Sequence, residues 1–305
     1  MTESGLAALS NELAGAVARA GRFMVAVNGR ERISSSGIHW KPGAIVTAEH
    51  TIRRDEEITI SLPDGRTLPA TLAGRDAGTD IAVLKADCGD LPLAEAAVGN
   101  ALKPGHIVLA VGRGSETGVS AAMGVISGVA GAWRTWRGGM LDRFVRLDVT
   151  LYPGSSGGAV VDTQGRLLGM ATGGLSRIAG IAIPPETLDR VAGELLAKGR
   201  VTRGYLGVGL QPVSLPDHLR SRLGVSERSG VIVLSVEPGG PADQAGILVG
   251  DILVALDGKP VTDTDDVQVA LGTDAVGRSL QASLIRGGER AEATIGIRER
   301  PRREA

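Results

Sequence analysis

The chain is expected to be mainly β and to hold more than one folding unit. Its 305 residues exceed the roughly 100 to 200 of a single domain, so two or three cores are expected. Glycine is abundant, at 45 residues, beside only 2% aromatic residues, a balance that points to many tight turns. Short apolar or alternating runs recur between turn signals, with the spacing of an antiparallel barrel or sandwich.

The first element is an exception to the β pattern. Within 1–22, Leu6, Leu9, Leu13 and Val17 recur at helical spacing, so an amphipathic helix that docks on its own domain is expected. The stretch lacks the basic start and unbroken apolar run of a signal peptide or membrane span. Strand-like runs follow at 23–27, 43–48, 57–62, 80–85, 106–111, 124–130, 144–149, 158–162 and 166–172. Turns such as Pro63-Asp64-Gly65 and Gln164-Gly165 can close hairpins between them. No long helical pattern interrupts the series, which argues against a parallel βαβ sheet.

A helix is expected over 185–199, ending at Gly199, and the polar Arg200 to Arg203 then mark the best boundary. Beyond it, strand-like runs at 206–210, 230–236, 251–256 and 279–285, with helices near Ala242–Ala245 and Asp265–Leu271, make one small mixed domain. The expected layout is therefore a helical segment 1–22, a first domain 23–199, a second domain 203–298 and a charged tail 299–305. There is no internal sequence repeat.

A formal net charge of −1 gives no electrostatic reason for nucleic acid or an anionic membrane as partner. The single cysteine, Cys88, rules out an internal disulfide and any Cys-cluster metal site. Asp263, Asp265 and Asp266 have superficial metal spacing, but they read as a capped helix start. Neither a metal nor a cofactor is called for.

The chemistry centres on YPGSSGGAVVD, 152–162, where Ser156 sits on a turn of glycines. There its hydroxyl can protrude and main-chain N–H groups can converge, as an acyl-transfer nucleophile needs. Alone, the segment reads equally as an inert Gly/Ser hairpin loop. It also fits the G-x-S-x-G elbow of α/β-hydrolases, but that elbow needs a following helix and a later histidine. An extended AVVD follows instead, and the only later histidine is His218, in the second domain. The base must lie upstream. His50 closes the apolar strand of AIVTAEHTI, and Asp80 opens the strand of GTDIAVLK. Each alone reads better as structural, a satisfied histidine and a turn or cap aspartate. Together they give the order His, Asp, Ser of the chymotrypsin arrangement.

Through TAEHTI, DGRTLPATLAGRDAGTDIAVLK, YPGSSGGAVVD and AGIAIPPETLDRV, the chain resembles the HtrA/DegP family of trypsin-like serine proteases, from about Met24 to Ile297. The resemblance implies a two-barrel trypsin-like domain in which Ser156 attacks, His50 moves the proton and Asp80 orients His50. It implies an oxyanion hole at Gly154, Ser155 and Ser156, with the donors on Gly154 and Ser156. Ser155 replaces the family's usual Asn and Ala159 its usual Pro. With Ser155 where trypsin-like enzymes carry an Asp, activation by cleavage at the N-terminus is not expected. Thr150, with Leu151 beside it, stands at the base of the specificity pocket, where an acid would select Arg or Lys. A preference for small or medium aliphatic residues is the expectation.

RGYLGVGLQPV and SGVIVLSVEPGGPADQAGILVGDILVALDGKPV resemble the PDZ domain attached to this family. By that resemblance Tyr205, Leu206, Gly207 and Val208 form the loop that grips a peptide C-terminal carboxylate. Val267, Ala270 or Leu271 would face the peptide from the flanking helix. The leading expectation is an endopeptidase for unfolded or misfolded polypeptide; a proteolytically silent chaperone or scaffold is the competing one. The family also suggests homo-oligomers, in particular trimers. The family is usually exported, yet the start at Met1 lacks a signal, so the chain reads as cytoplasmic, or as periplasmic or envelope-located if this start is a truncation.

Overall fold

Strand pairing organises the first part of the chain into two closed barrels. In the computed structural model, which describes residues 5–97, 102–272 and 275–299, the chain divides into a unit Met1–Val201 and a unit Thr202–Ala305. The first barrel contains β1 (Met24–Asn28), β2 (Ser35–Lys41), β3 (Ala44–Ala48), β4 (Ile58–Ser61), β5 (Thr67–Asp76) and β6 (Ile81–Lys85), joined in the order β1-β2-β3-β6-β5-β4. β7 (Ile107–Gly114) and β8 (Gly118–Ala130) begin the second barrel. A short hairpin of β9 (Trp133–Arg134) and β10 (Met140–Leu141) interrupts it before β11 (Phe144–Asp148), β12 (Ala159–Val161), β13 (Leu167–Thr172) and β14 (Gly180–Ile183). Its order, β11-β14-β13-β12-β7-β8, is cyclically the same as that of the first barrel. The repetition absent from the sequence is present in the connectivity.

Two helices seal this unit. α1 (Gly5–Gly21) buries Ala16 and Ala20 and packs Leu13 and Val17 on the core, while Leu6 and Leu9 at its start stay exposed. Only the second half of the expected apolar stripe is therefore used. α2 (Pro185–Lys198) has proline at its first turn and Gly199 in the left-handed region at φ 72°, the standard stop for a helix. Its C-terminal end abuts β5, where a Cβ on Gly74 would lie 2.4 Å from the Gly199 carbonyl oxygen. One core cluster takes Met24, Ile38, Val46 and Ile81 from the first barrel and Val111, Leu167, Met170 and Ile183 from the second. Each such large side chain contributes about 1.5–3 kcal/mol on burial, so this shared seam holds the barrels together.

The strands that the apolar runs do not announce have local reasons. β2 begins in a serine run, and β5 carries Pro69 and Gly74 in a half-exposed setting, features that normally demote a strand. β14 is too short, at four residues, to give a pattern.

In the second unit, a sheet runs in the order β16 (Val208–Ser214), β17 (Ser229–Val236), β18 (Ile252–Leu256), β20 (Ser279–Arg286) and β21 (Glu289–Gly296), with β19 (Lys259–Pro260) on β18. β15 (Gly204–Tyr205) pairs with β22 (Arg298–Glu299), so the start of the expected charged tail is a strand. Residues 300–305 of that tail lie outside the described residues. α3 (Asp217–Leu223), α4 (Pro241–Gln244) and α5 (Thr264–Ala270) complete the unit, and Val231, Val233, Leu253, Leu284 and Ile295 lie in its core. α5 starts in a capping box: Asp263 accepts from the Asp265 N–H, and Asp266 accepts from the N–H groups of Thr262 and Asp263.

Asp251, 1% exposed, is a buried charge of this unit and takes both forks of Arg286, at 2.8 and 2.7 Å, with the Leu248 N–H at 2.8 Å. Hydrogen bonding from Arg286 first, against desolvation, holds its carboxyl below the usual range. That contribution is complete above the unfolded carboxylate value of about 4 and is lost as pH falls through the lower folded value. Asp251→Asn is expected to cost about 1–3 kcal/mol at neutral pH and to flatten the acid side of the melting-temperature profile below about pH 4. An unchanged acid slope in calorimetry would overturn this assignment.

Candidate active site

Register brings the first two groups together. β3 and β6 pair antiparallel with Ala48 opposite Ile81, so the residues just past the end of β3 face those just before β6. Glu49 N–H extends the ladder to the Asp80 carbonyl at 3.1 Å, and a single 3₁₀ turn, Glu49–Thr51, then aims His50. Asp80 adopts φ 57°, a left-handed conformation that aspartate tolerates better than most residues, after a turn in which Asp76 accepts from the Thr79 N–H and hydroxyl. His50 Nδ1 lies 3.0 and 2.9 Å from the two Asp80 carboxylate oxygens, and the His50 N–H donates to Oδ1 at 2.9 Å. A carboxylate only accepts, so the neutral ring carries its proton on Nδ1 and leaves Nε2 with a free lone pair.

Asp80 has no exposed surface, and its third donor comes from the second barrel, from the Thr172 hydroxyl at the end of β13. The two residues after Thr172 complete the geometry. Gly173 N–H donates to Ser156 Oγ at 3.3 Å, and a Cβ on Gly174 would stand 2.6 Å from both Asp80 Oδ2 and His50 Nδ1. The segment Thr172-Gly173-Gly174 thus touches all three expected reacting residues. In the sequence the segment reads as an ordinary strand end, a polar residue followed by paired glycines.

Ser156 lies in the loop between β11 and β12. Gly157, at φ 85°, has no room for a side chain, since a Cβ would meet the Ser36 carbonyl oxygen at 2.1 Å; one on Gly158 would meet that of Val111 at 2.3 Å. Ser36, wholly buried on β2, clamps this loop from the first barrel. Its hydroxyl donates to the Gly154 carbonyl at 2.8 Å and accepts from the Arg113 N–H at 2.9 Å, while its N–H donates to the Ser156 carbonyl at 3.2 Å. In the loop, the N–H groups of Ser155, Gly157 and Gly158 are engaged with the carbonyls of Tyr152, Ala171 and Ser155. Among the described residues, those of Gly154 and Ser156 donate to no protein acceptor. Ser155 is buried, Thr150 is exposed, and Leu151 is half-buried against Gly180. Ser36 was hidden in a serine run that reads as turn.

In the second unit, Leu206 is buried, its carbonyl accepting from the Ala242 N–H at 2.9 Å. Gly207, at φ 76°, has its carbonyl held by the Glu237 N–H at 2.8 Å, and the Tyr205 hydroxyl donates to the Glu237 carboxylate. Val208 then opens β16, which stands at one end of the sheet order with α5 beside it. Of the helix residues expected to face a peptide, Val267 goes into the core, and Ala270 and Leu271 are partly buried.

Comparison with known proteins finds a match for each of the two units. A trypsin-like peptidase domain model matches residues 35–170, and a PDZ domain model matches residues 204–297. The serine endoprotease from Yersinia pestis has a similar solved structure, with 32% identity, a TM-score of 0.77, and coverage of 95% of this chain and 98% of that one. The HtrA-type protease AlgW with decapeptide matches at 27% identity and a TM-score of 0.78, over 95% and 99% of the two chains. Among curated proteins, the probable periplasmic serine endoprotease DegP-like of Halomonas elongata is 32% identical over 89% of this chain and 57% of its own length. Its namesake in Pseudomonas savastanoi is 34% identical over 84% and 53%. The chain thus spans somewhat more than half the length of these curated relatives. Their names correct the cytoplasmic expectation, which rested on the first residues alone. A compartment is specified by leader segments, and α1 belongs to the folded body. Among the described residues, no helix is long and apolar enough to cross a membrane.

The contact of Gly174 with both His50 and Asp80 can be tested directly. Gly174→Ala is expected to slow labelling of Ser156 by a fluorophosphonate about 100-fold, the scale of a misplacement of order 1 Å, with little change in melting temperature. Labelling at the full rate would show that the segment does not hold the pair.

Proposed function

The chain belongs to the HtrA-type, trypsin-like serine endoproteases that carry a PDZ domain, and we propose on that footing that it hydrolyses peptide bonds through Ser156, His50 and Asp80. The observation that carries the reading is the shared segment: Thr172 holds Asp80, Gly173 holds Ser156, and Gly174 leaves space only for the His50–Asp80 contact. His50, with its proton on Nδ1, takes the Ser156 proton at Nε2 as Oγ attacks the scissile carbonyl, then returns it to the leaving amine. Asp80 fixes the tautomer and stabilises the imidazolium. The carbonyl oxygen, as it becomes an anion, takes the N–H groups of Gly154 and Ser156. Water repeats the attack and releases the acyl half.

The substrates are unfolded or misfolded polypeptides, in the periplasm that the relatives' names give. The edge strand β16 and the Tyr205–Val208 loop receive peptide C-termini by strand addition. No acid stands at Thr150 or Leu151, so small or medium aliphatic residues precede the cut. The protein works as a homo-oligomer, by family likeness a trimer. The relatives are named as endoproteases, which weighs against the silent scaffold.

Purified protein is expected to degrade casein, and Ser156→Ala to lose at least about 1,000-fold of that rate. Equal absence of cleavage in both would sink the proposal. Mass spectrometry of the products is expected to find Val, Ala or Leu before the cut; a majority of Arg and Lys would overturn the specificity reading.

A further inference from the structure

The residue before His50 takes no part in the reaction above, yet it carries the charge closest in sequence to it. The Glu49 side chain is only 16% exposed and lies between two guanidinium groups, Oε1 4.0 Å from Arg75 Nε and Oε2 3.9 Å from Arg137 Nη1. These separations exceed hydrogen-bond lengths, so charge alone couples the three groups. Arg75, on β5, is further tied to Asp55 at 3.2 Å and to the Ile52 carbonyl. Arg137 lies over the Trp136 ring, 4.6 Å from its centre.

Arg137 belongs to the segment between β9 and β10, and that hairpin is fastened to the approach to Asp80. The Thr135 hydroxyl donates to the Gly78 carbonyl at 2.6 Å, and a Cβ on Gly139 would lie 2.2 Å from the Gly78 carbonyl carbon. The hairpin therefore meets the chain just ahead of Asp80 through Gly78 and just ahead of His50 through Glu49. Burial first, then the charge of Asp80, push the Glu49 carboxyl up, while Arg75, Arg137 and His50 pull it down.

We propose that Glu49 is a positioning residue for His50 and that Arg137 opposes it, so that the balance of these two side-chain charges sets the pH at which His50 accepts a proton. The proposal rests on the reading of His50 as the base. The charged groups facing Glu49 are His50 from its own turn, Asp80 ahead of β6, Arg75 from β5 and Arg137 from the hairpin. Negative charge at Glu49 favours the imidazolium, and positive charge at Arg137 opposes it.

The pH dependence of kcat/KM on a casein-derived peptide separates positioning from mere support. Glu49→Gln is expected to move the acid limb to lower pH by about 0.5 to 1 unit, Arg137→Met to move it to higher pH by a similar amount, and the double variant to fall between them. Glu49→Asp, which keeps the charge, is expected to stay near the parent profile. A parallel measurement needs no turnover: the His50 imidazole titration followed by NMR in the Ser156→Ala protein, assigned against a His50→Gln spectrum, is expected to move in the same directions. If casein is cleaved but neither the limb nor the titration moves, Glu49 is only structural and the proposal falls. If casein is not cleaved yet the titration moves as stated, the protease reading falls and the charge coupling stands. If Glu49→Gln fails to fold, the direction of the Arg137→Met shift decides.

Discussion

A carboxylate removed from water stays charged only if donors replace the water, and Asp80 is fully removed. Its oxygens are met by the backbone and ring of His50 and by the hydroxyl of Thr172. The first two lie at the end of β3, in the first barrel, and the third at the end of β13, in the second. One buried carboxyl group therefore pins the two barrels to each other where the proposed reacting groups lie. Removing either side would leave a buried carboxyl group short of donors, which costs more than a surface ion pair returns.

The same seam dictates where side chains are forbidden. Ser36 reaches across from β2 to hold both the Gly154 and Ser156 carbonyls, and that approach is closed to any residue at 157 larger than glycine. The proposed nucleophile, Ser156, sits on a loop, but the loop is fastened to both barrels by hydrogen bonds. This gives the half-buried Ser156 a fixed position, which the proposed acyl transfer at a preorganised site requires.

Much of this was legible beforehand. Strands with continuous apolar runs, such as those carrying Ile45 and Val83, announced themselves, as did α2 through Pro185 and Gly199. The chain order of His50, Asp80 and Ser156 matches the His, Asp, Ser order of the chymotrypsin arrangement. The contributions of Ser36, Thr172, Gly174 and Glu49 were not legible, because each depends on a contact between segments far apart in the chain: Ser36 lies 118 residues from Gly154, and Thr172 lies 92 from Asp80. Serine, threonine and glycine are the ordinary residues of turns, so only the tertiary contact distinguishes these. The strands β2 and β5 escaped for a local reason, since serines, Pro69 and Gly74 obscure their alternation.

The identical strand order of the two barrels has a consequence for synthesis. The first barrel carries the imidazole and its carboxylate, and the second, made later, carries the hydroxyl and the threonine that steadies the carboxylate. On the proposed reaction, a growing chain that holds only the first barrel has His50 and Asp80 without Ser156, and the second barrel alone has Ser156 without either. Under that proposal the full set exists only after both barrels have closed and docked, and neither barrel completed alone during synthesis holds it.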